Sequence, residues 1–276
     1  AGLTLNSACR GKKFSFNEVP VGVPPNPRNP WIDIHITEVK IGFDGIVLAN
    51  SKAVAPLSLT KKQIFTALAK QVPIDGKLVD NPYKTWKDVD PSLPDTKIEV
   101  LGPPPTSGTR DAFSELAMEG GAKKFASLKA LRKSDKKAFK AVAHAVREDG
   151  AYIEAGENDN LIVQKLVANP NAIGVFGFSF LDQNADKIQG GVIGGVKPTF
   201  ENISGGQYGI SRSLYFYVKN AHVGKIPGIK EFLKEYTSED AMGDEGYLTD
   251  RGLIPLGTEK LDAIRKDVLN LKPLKL

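Results

Sequence analysis

The chain has 276 residues, 41% apolar and 25% charged, with a net charge of +5 and a single cysteine, Cys9. That composition suits a globular chain long enough for two domains or one large α/β domain. It excludes an intrachain disulfide and a cysteine-based metal centre, contains no run of about 18 apolar residues to cross a bilayer, and favours an anionic partner only weakly.

Residues Ala1 to about Trp31, including "VPVGVPPNPRNPW", are rich in proline and glycine and read as mostly irregular. "IDIHITEVKIGFDGIVLANS" first alternates and then runs apolar, as strands do, the second part more deeply buried. "SLTKKQIFTALAKQV" reads as a helix capped at Ser58 or Thr60, with Ile64, Phe65 and Leu68 on one face. "KIEVLGP" is a short strand ended by prolines. "RDAFSELAMEG" is a helix that Gly120 and Gly121 are expected to end. "KKAFKAVAHAVRED" is an amphipathic helix with a stripe of Phe139, Val142, Ala143 and Val146. A helix starts near Asn158 to Asn160. "AIGVFGFSFL" and "SLYFYVK" read as strands, "GGVIGG" as a flexible loop, and "PGIKEFLKEYTS" and "TEKLDAIRKDVL" as helices. Strands and helices alternate, so the expected class is an open α/β fold.

One stretch combines unusual local rules. In "KIEVLGPPPTSGTRDAF" a strand runs into three prolines, a small polar turn and a helix start. A helix N-terminus has unpaired N–H groups and a partial positive charge, so an anion fits there. Ser107 and Thr109 add hydroxyls, Gly108 lets an oxyanion approach the backbone, and Arg110 offers a planar fork of donors. The prolines hold the turn in place. The same residues also suit a plain helix cap with a solvated arginine.

Other chemistries find less support. His35, His144 and His222 lack metal-ligand spacing and read as structural. "GFSF" is not a nucleophile elbow, and "GGVIGG" is not a dinucleotide fingerprint. The basic stretch Lys123 to Arg147 raises nucleic acid, but no aromatics interleave for base stacking, and a solvated face of two helices is the simpler reading. Glu148, Glu154, Glu157 and Asp159 could line a cleft rim, without a visible acid–base pair. No enzyme, no cofactor and no nucleic-acid partner are expected.

The chain resembles the PstS-type phosphate-binding proteins, receptors of bacterial phosphate ABC transporters. The resemblance is carried by "EVKIGFDGIVLANS", "NPYKTWKDVDPSLPDTKIEVLGPPPTSGTRDAF", "GAYIEAGENDNLIVQKLVANPNAIGVFGFSFLDQNADKIQG" and "DEGYLTDRGLIPL", over roughly Thr37 to Val268. It implies a two-lobed periplasmic binding protein type II fold, hinged on two crossing strands near Leu48 to Lys52 and Tyr208 to Leu214, with a ligand cleft between the lobes. Residues 1–50 and 211–276 would form the first lobe, and residues 57–206 the second. It further implies capture of inorganic phosphate at Ser107, Gly108, Thr109 and Arg110, delivery to the membrane permease of an ABC transporter, a monomer, and a periplasmic mature chain freed of its signal peptide. Two departures stand out. Many members place a phosphate-binding arginine four residues before the turn's serine, where this chain has Pro103. The family's first-lobe turn and its Asp- or Arg-containing loop have no match in Ala1 to Ile36. The first predicts weakened binding; the second, which removes the acceptor for the phosphate proton, predicts weak or absent binding and poor discrimination between phosphate and sulfate, or a scaffold or signalling protein that keeps the fold without transporting phosphate.

Overall fold

A computed structural model describes residues 35–156 and 159–274. The reading of Ala1–Trp31 as irregular, and the search for first-lobe ligand turns there, lie outside these residues. The described chain divides into two compact units: residues 43–212 with 252–254, and the stretches up to 42, 213–251 and 255 onward.

The larger unit is built on the apolar run of β1 (Ile36–Ser51). Successive side chains of a strand point to opposite faces. Ile46 and Leu48 enter one core with Ile64, Phe65, Phe113 and Phe139. Val47 and Ala49 enter another with Ile162, Leu166 and Phe176. An uninterrupted apolar run is what a strand covered on both faces requires.

β2 (Ser58–Leu59) leads into α1 (Lys61–Leu68), whose N-cap is Thr60 in a reciprocal capping box with Gln63. β3 (Gln71–Ile74) and β4 (Lys77–Asp80) form a hairpin through Asp75 and Gly76, both with positive φ. The short α2 (Trp86–Val89), boxed by Thr85 and Asp88, buries Trp86. β5 (Val100–Gly102) precedes α3 (Gly108–Phe113), which continues without a break through a π turn at Ser114–Met118 into α4 (Glu119–Ala122).

Gly120 and Gly121 lie in the last turn of this helix, which ends one residue later at Ala122, but neither takes the left-handed cap conformation. A methyl group on Gly121 would collide with the Lys61 carbonyl oxygen and the Phe65 side chain, so the glycine is there to let α4 approach α1 closely.

α5 (Ala126–Ser134) and α6 (Lys136–Ala143) follow, then β6 (Tyr152–Glu154) and α7 (Asp159–Ala168). α6 buries Phe139 and Ala143 as the stripe predicts, but ends before Val146. β7 (Ile173–Gly177) stops at Gly177, and α8 (Phe178–Gln183) takes over, so the second half of "AIGVFGFSFL" is helical. β8 (Ile188–Gly190) pairs with β1, and β9 (Val192–Ile193) pairs in parallel with β2, so part of the "GGVIGG" segment is strand. α9 (Phe200–Ser204) completes the unit. Its sheet runs β1-β7-β5-β6: β7 is antiparallel to β1 and parallel to β5, and β5 is parallel to β6.

In the smaller unit the first half of β1 lies beside β10 (Ser211–Lys219). α10 (Ile229–Tyr236), α11 (Glu239–Met242) and α12 (Thr258–Leu269) complete it. Val39, Val218, Leu233 and Val268 form its core. The C-terminal tail is tied back by the Leu274 N–H to the Ile36 carbonyl.

Candidate functional site

The carboxyl end of β5 delivers the chain into Pro103–Pro105. The Ser107 N–H donates to the Pro104 carbonyl at 3.0 Å, closing a tight turn just before α3. Ser107 is the N-cap, in extended conformation, and its Oγ accepts from the Thr109 N–H at 3.2 Å. The Ser107 carbonyl accepts from the Asp111 N–H at 3.1 Å. The Thr109 amide is thus already engaged by the cap, while the Gly108 and Arg110 amides have no acceptor among the described residues. Gly108 is exposed, and a Cβ there would meet nothing within 4 Å.

Ser107, Gly108 and Thr109 are thus together at one helix N-terminus. Arg110 goes elsewhere. Its side chain is 9% exposed; Nη1 donates to the Pro103 carbonyl at 3.3 Å, and Cζ lies 4.4 Å from the centre of the Tyr152 ring. The Tyr152 hydroxyl donates to the same carbonyl at 2.9 Å. Burial pushes the Tyr152 phenol up, opposed by the Arg110 charge. A Cβ on Gly102 would overlap the Tyr152 hydroxyl, so glycine is needed where β5 ends.

Arg110 lines a groove of about 660 Å³ with Asp111, Ser114, His144, Tyr152 and Glu154, and the three turn residues do not line it. Its walls carry both signs of charge, Lys70 and Arg147 beside Arg110 and Glu148 beside Asp111 and Glu154. At the groove, His144 Nε2 pairs with Glu119 Oε1 at 2.9 Å. Burial pushes the Glu119 carboxyl up; the His144 and Lys123 hydrogen bonds and the charges of Lys123 and Lys140 outweigh it and hold the carboxyl below its ordinary range. His144 is thereby an ion-network residue. Among the described residues no three His, Cys, Asp or Glu side chains could hold a metal ion.

Two ion pairs escaped the sequence reading. Arg147, within the basic stretch, is only 3% exposed. It grips Asp149 through Nε (2.7 Å) and Nη2, and its Nη1 donates to the Tyr83 (2.7 Å) and Ala67 (3.2 Å) carbonyls. Its hydrogen bonds hold the Asp149 carboxyl far below the usual range. Asp44 accepts from Arg212 Nε at 3.3 Å, yet burial keeps its carboxyl above the ordinary value. Arg147 and Asp149 are only two residues apart, but the Ala67 and Tyr83 carbonyls that complete the site, and the Asp44–Arg212 pair, are remote in sequence; the capping boxes of α1 and α2 are local, at Thr60 to Gln63 and Thr85 to Asp88.

Comparison with known proteins bears on both fold and site. Residues 27–240 match the family model of the PBP superfamily domain. The phosphate-binding protein PstS of Staphylococcus haemolyticus is 32% identical over 225 residues, covering 78% of this chain and 58% of that protein. PstS of Staphylococcus aureus strain USA300 is 29% identical over 224 residues, covering 78% of this chain and 57% of that protein. The chain thus spans a little over half the length of these curated relatives. Among solved structures, a possible phosphate binding protein from Planctomyces limnophilus superposes with a TM-score of 0.61 at 23% identity, covering 87% of this chain and 74% of that one. An ABC-type phosphate transport receptor from Vibrio cholerae gives 0.51 at 17% identity, covering 89% and 75%. Such identities speak for the fold, and the α/β architecture agrees. No helix among the described residues is long and apolar enough to cross a membrane. The chain belongs to the PBP superfamily and is similar, over most of its length, to PstS-type phosphate-binding proteins.

Proposed function

We propose that this chain is a solute-binding receptor that captures inorganic phosphate for delivery to the membrane permease of an ABC transporter. The observation that carries the reading is the open helix start. Ser107 caps α3, the Gly108 and Arg110 amides have no acceptor among the described residues, and no described atom lies within 4 Å of a Cβ built on Gly108. A tetrahedral oxyanion would take those two N–H groups and the Ser107 and Thr109 hydroxyl protons, in a positive helix-end field. Arg110 acts at one remove: its hydrogen bond to Pro103 steadies the turn, and its charge is shared with a groove that also holds acids. The relatives' names support phosphate as the solute and a receptor rather than an enzyme. A periplasmic mature chain and a monomer belong to the same reading.

With proline at position 103, affinity is lower than an added arginine would give, and phosphate is poorly separated from sulfate. Calorimetric titration with the two anions is the test. Saturable heat with phosphate that is lost on Gly108→Pro supports the reading. A flat titration at millimolar phosphate favours the scaffold alternative.

A further inference from the structure

We propose that the helical hairpin α5–α6 is an electrostatic docking surface for a bilayer containing anionic phospholipid. Eight cations fall between Lys123 and Lys140, against one acid, Asp135. That acid is engaged: its side chain caps α6 by accepting from the Ala138 N–H at 2.9 Å. Glu119 pairs with Lys123 and Lys140, and Glu115 with Lys140. Lys124, Lys129, Arg132, Lys133, Lys136 and Lys137 are all exposed and have no ion-pair partner among the described residues.

Helix stability accounts for only part of their placement: Arg132 and Lys133 lie in the last turn of α5, where cations suit the helix dipole, but Lys136 and Lys137 do not. Lys129, Arg132 and Lys133 recur at three- and four-residue spacing, which lines them on one stripe of α5. Lys136 and Lys137 are the first two residues of α6. A helix start already carries partial positive charge, so cations there work against the helix. A surface that keeps them there gains stability when a polyanion arrives.

The chemistry favours lipid over nucleic acid. Five of the six cations are lysines, compact charges suited to a diffuse layer of headgroups, whereas phosphate and base recognition in nucleic acid draws on the arginine fork. The two aromatic rings of the stretch are engaged within the protein: Phe139 is buried in the core, and the half-buried Phe125 packs on the Phe65 ring with Lys62 Nζ over it, which leaves little to stack on bases.

Co-sedimentation of the full chain with vesicles of equal parts phosphatidylglycerol and phosphatidylcholine tests this. Binding is expected at low salt, with pure phosphatidylcholine vesicles leaving the protein in the supernatant and added salt releasing it. Each cation neutralised is expected to weaken binding about fivefold. The triple variant Lys129→Glu, Arg132→Glu, Lys133→Glu therefore loses more than about a hundredfold. The pair Lys136→Gln, Lys137→Gln loses more than about tenfold while its melting temperature holds or rises, which separates lost docking from lost folding. Equal binding to neutral vesicles, no binding to anionic ones, variants that bind like the parent, or displacement of the vesicles by duplex RNA at equal phosphate would each overturn the proposal.

Discussion

The Arg110 guanidinium stands 4.4 Å over the Tyr152 ring, and both side chains donate to one carbonyl, that of Pro103. A residue on the first turn of α3 and a residue of the edge strand β6 thus hold the loop that ends in Ser107. Tyr152→Phe removes one donor and is expected to cost about 1 kcal/mol in urea unfolding. Because Arg110 keeps the carbonyl paired in that variant, Arg110→Met and Tyr152→Phe together should be non-additive by at least about 0.5 kcal/mol. Strict additivity would show that the two do not act on a common carbonyl.

Two glycines of the same continuous helix should respond oppositely to alanine. Gly121→Ala puts a methyl group against the Lys61 carbonyl and is expected to cost about 2 kcal/mol or more, since backbone must move. Gly108→Ala meets no neighbour and lies at a helical position without positive φ, so it should leave stability unchanged or raise it by up to about 1 kcal/mol. The same methyl intrudes on the space over the helix start and should weaken phosphate binding. Thermal melts and calorimetry on the two variants read out both effects.

Ser107→Ala deletes the α3 cap. The expected cost is about 1 kcal/mol of stability. Phosphate affinity should fall about tenfold, the loss of one bond to a charged group. Unchanged affinity with the expected loss of stability would move the anion away from this turn.

Arg147 and Asp149 set an acid limit. The Asp149 carboxyl is held below its unfolded value, so its contribution is complete above the ordinary aspartate range. It is lost as pH falls through the folded pKa, below about 4. Its side chain is 41% exposed, which screens the pair and keeps the effect modest. Arg147→Met is expected to cost more, about 3 kcal/mol, because it strands the Ala67 and Tyr83 carbonyls. Chemical unfolding from pH 7 down to pH 3 should show a shallower acid decline in that variant; a parallel decline would place the acid sensitivity elsewhere.

Local rules made much of this protein legible in sequence. The apolar run ending in Ser51, the Thr60 capping residue and the strand, proline turn and helix order around Ser107 each depend on neighbours within a few residues. The period of side-chain burial and the pairing of first-turn amides are set at that range. Where the reading failed, a distant partner decided. Gly120 and Gly121 do sit at the helix end, but what requires glycine at 121 is α1, laid against it. Arg147 looks like one more solvated base until the carbonyls of Ala67 and Tyr83, remote in sequence, close around it. The side chain of Arg110, which follows the Ser-Gly-Thr turn directly, is placed by the Tyr152 ring and the Pro103 carbonyl. A charged side chain leaves water only where folding supplies replacement hydrogen bonds. Those come from chain segments whose proximity no local pattern encodes, so the sequence determined the helix start at Ser107 and the tertiary structure decided where the Arg110 and Arg147 side chains lie.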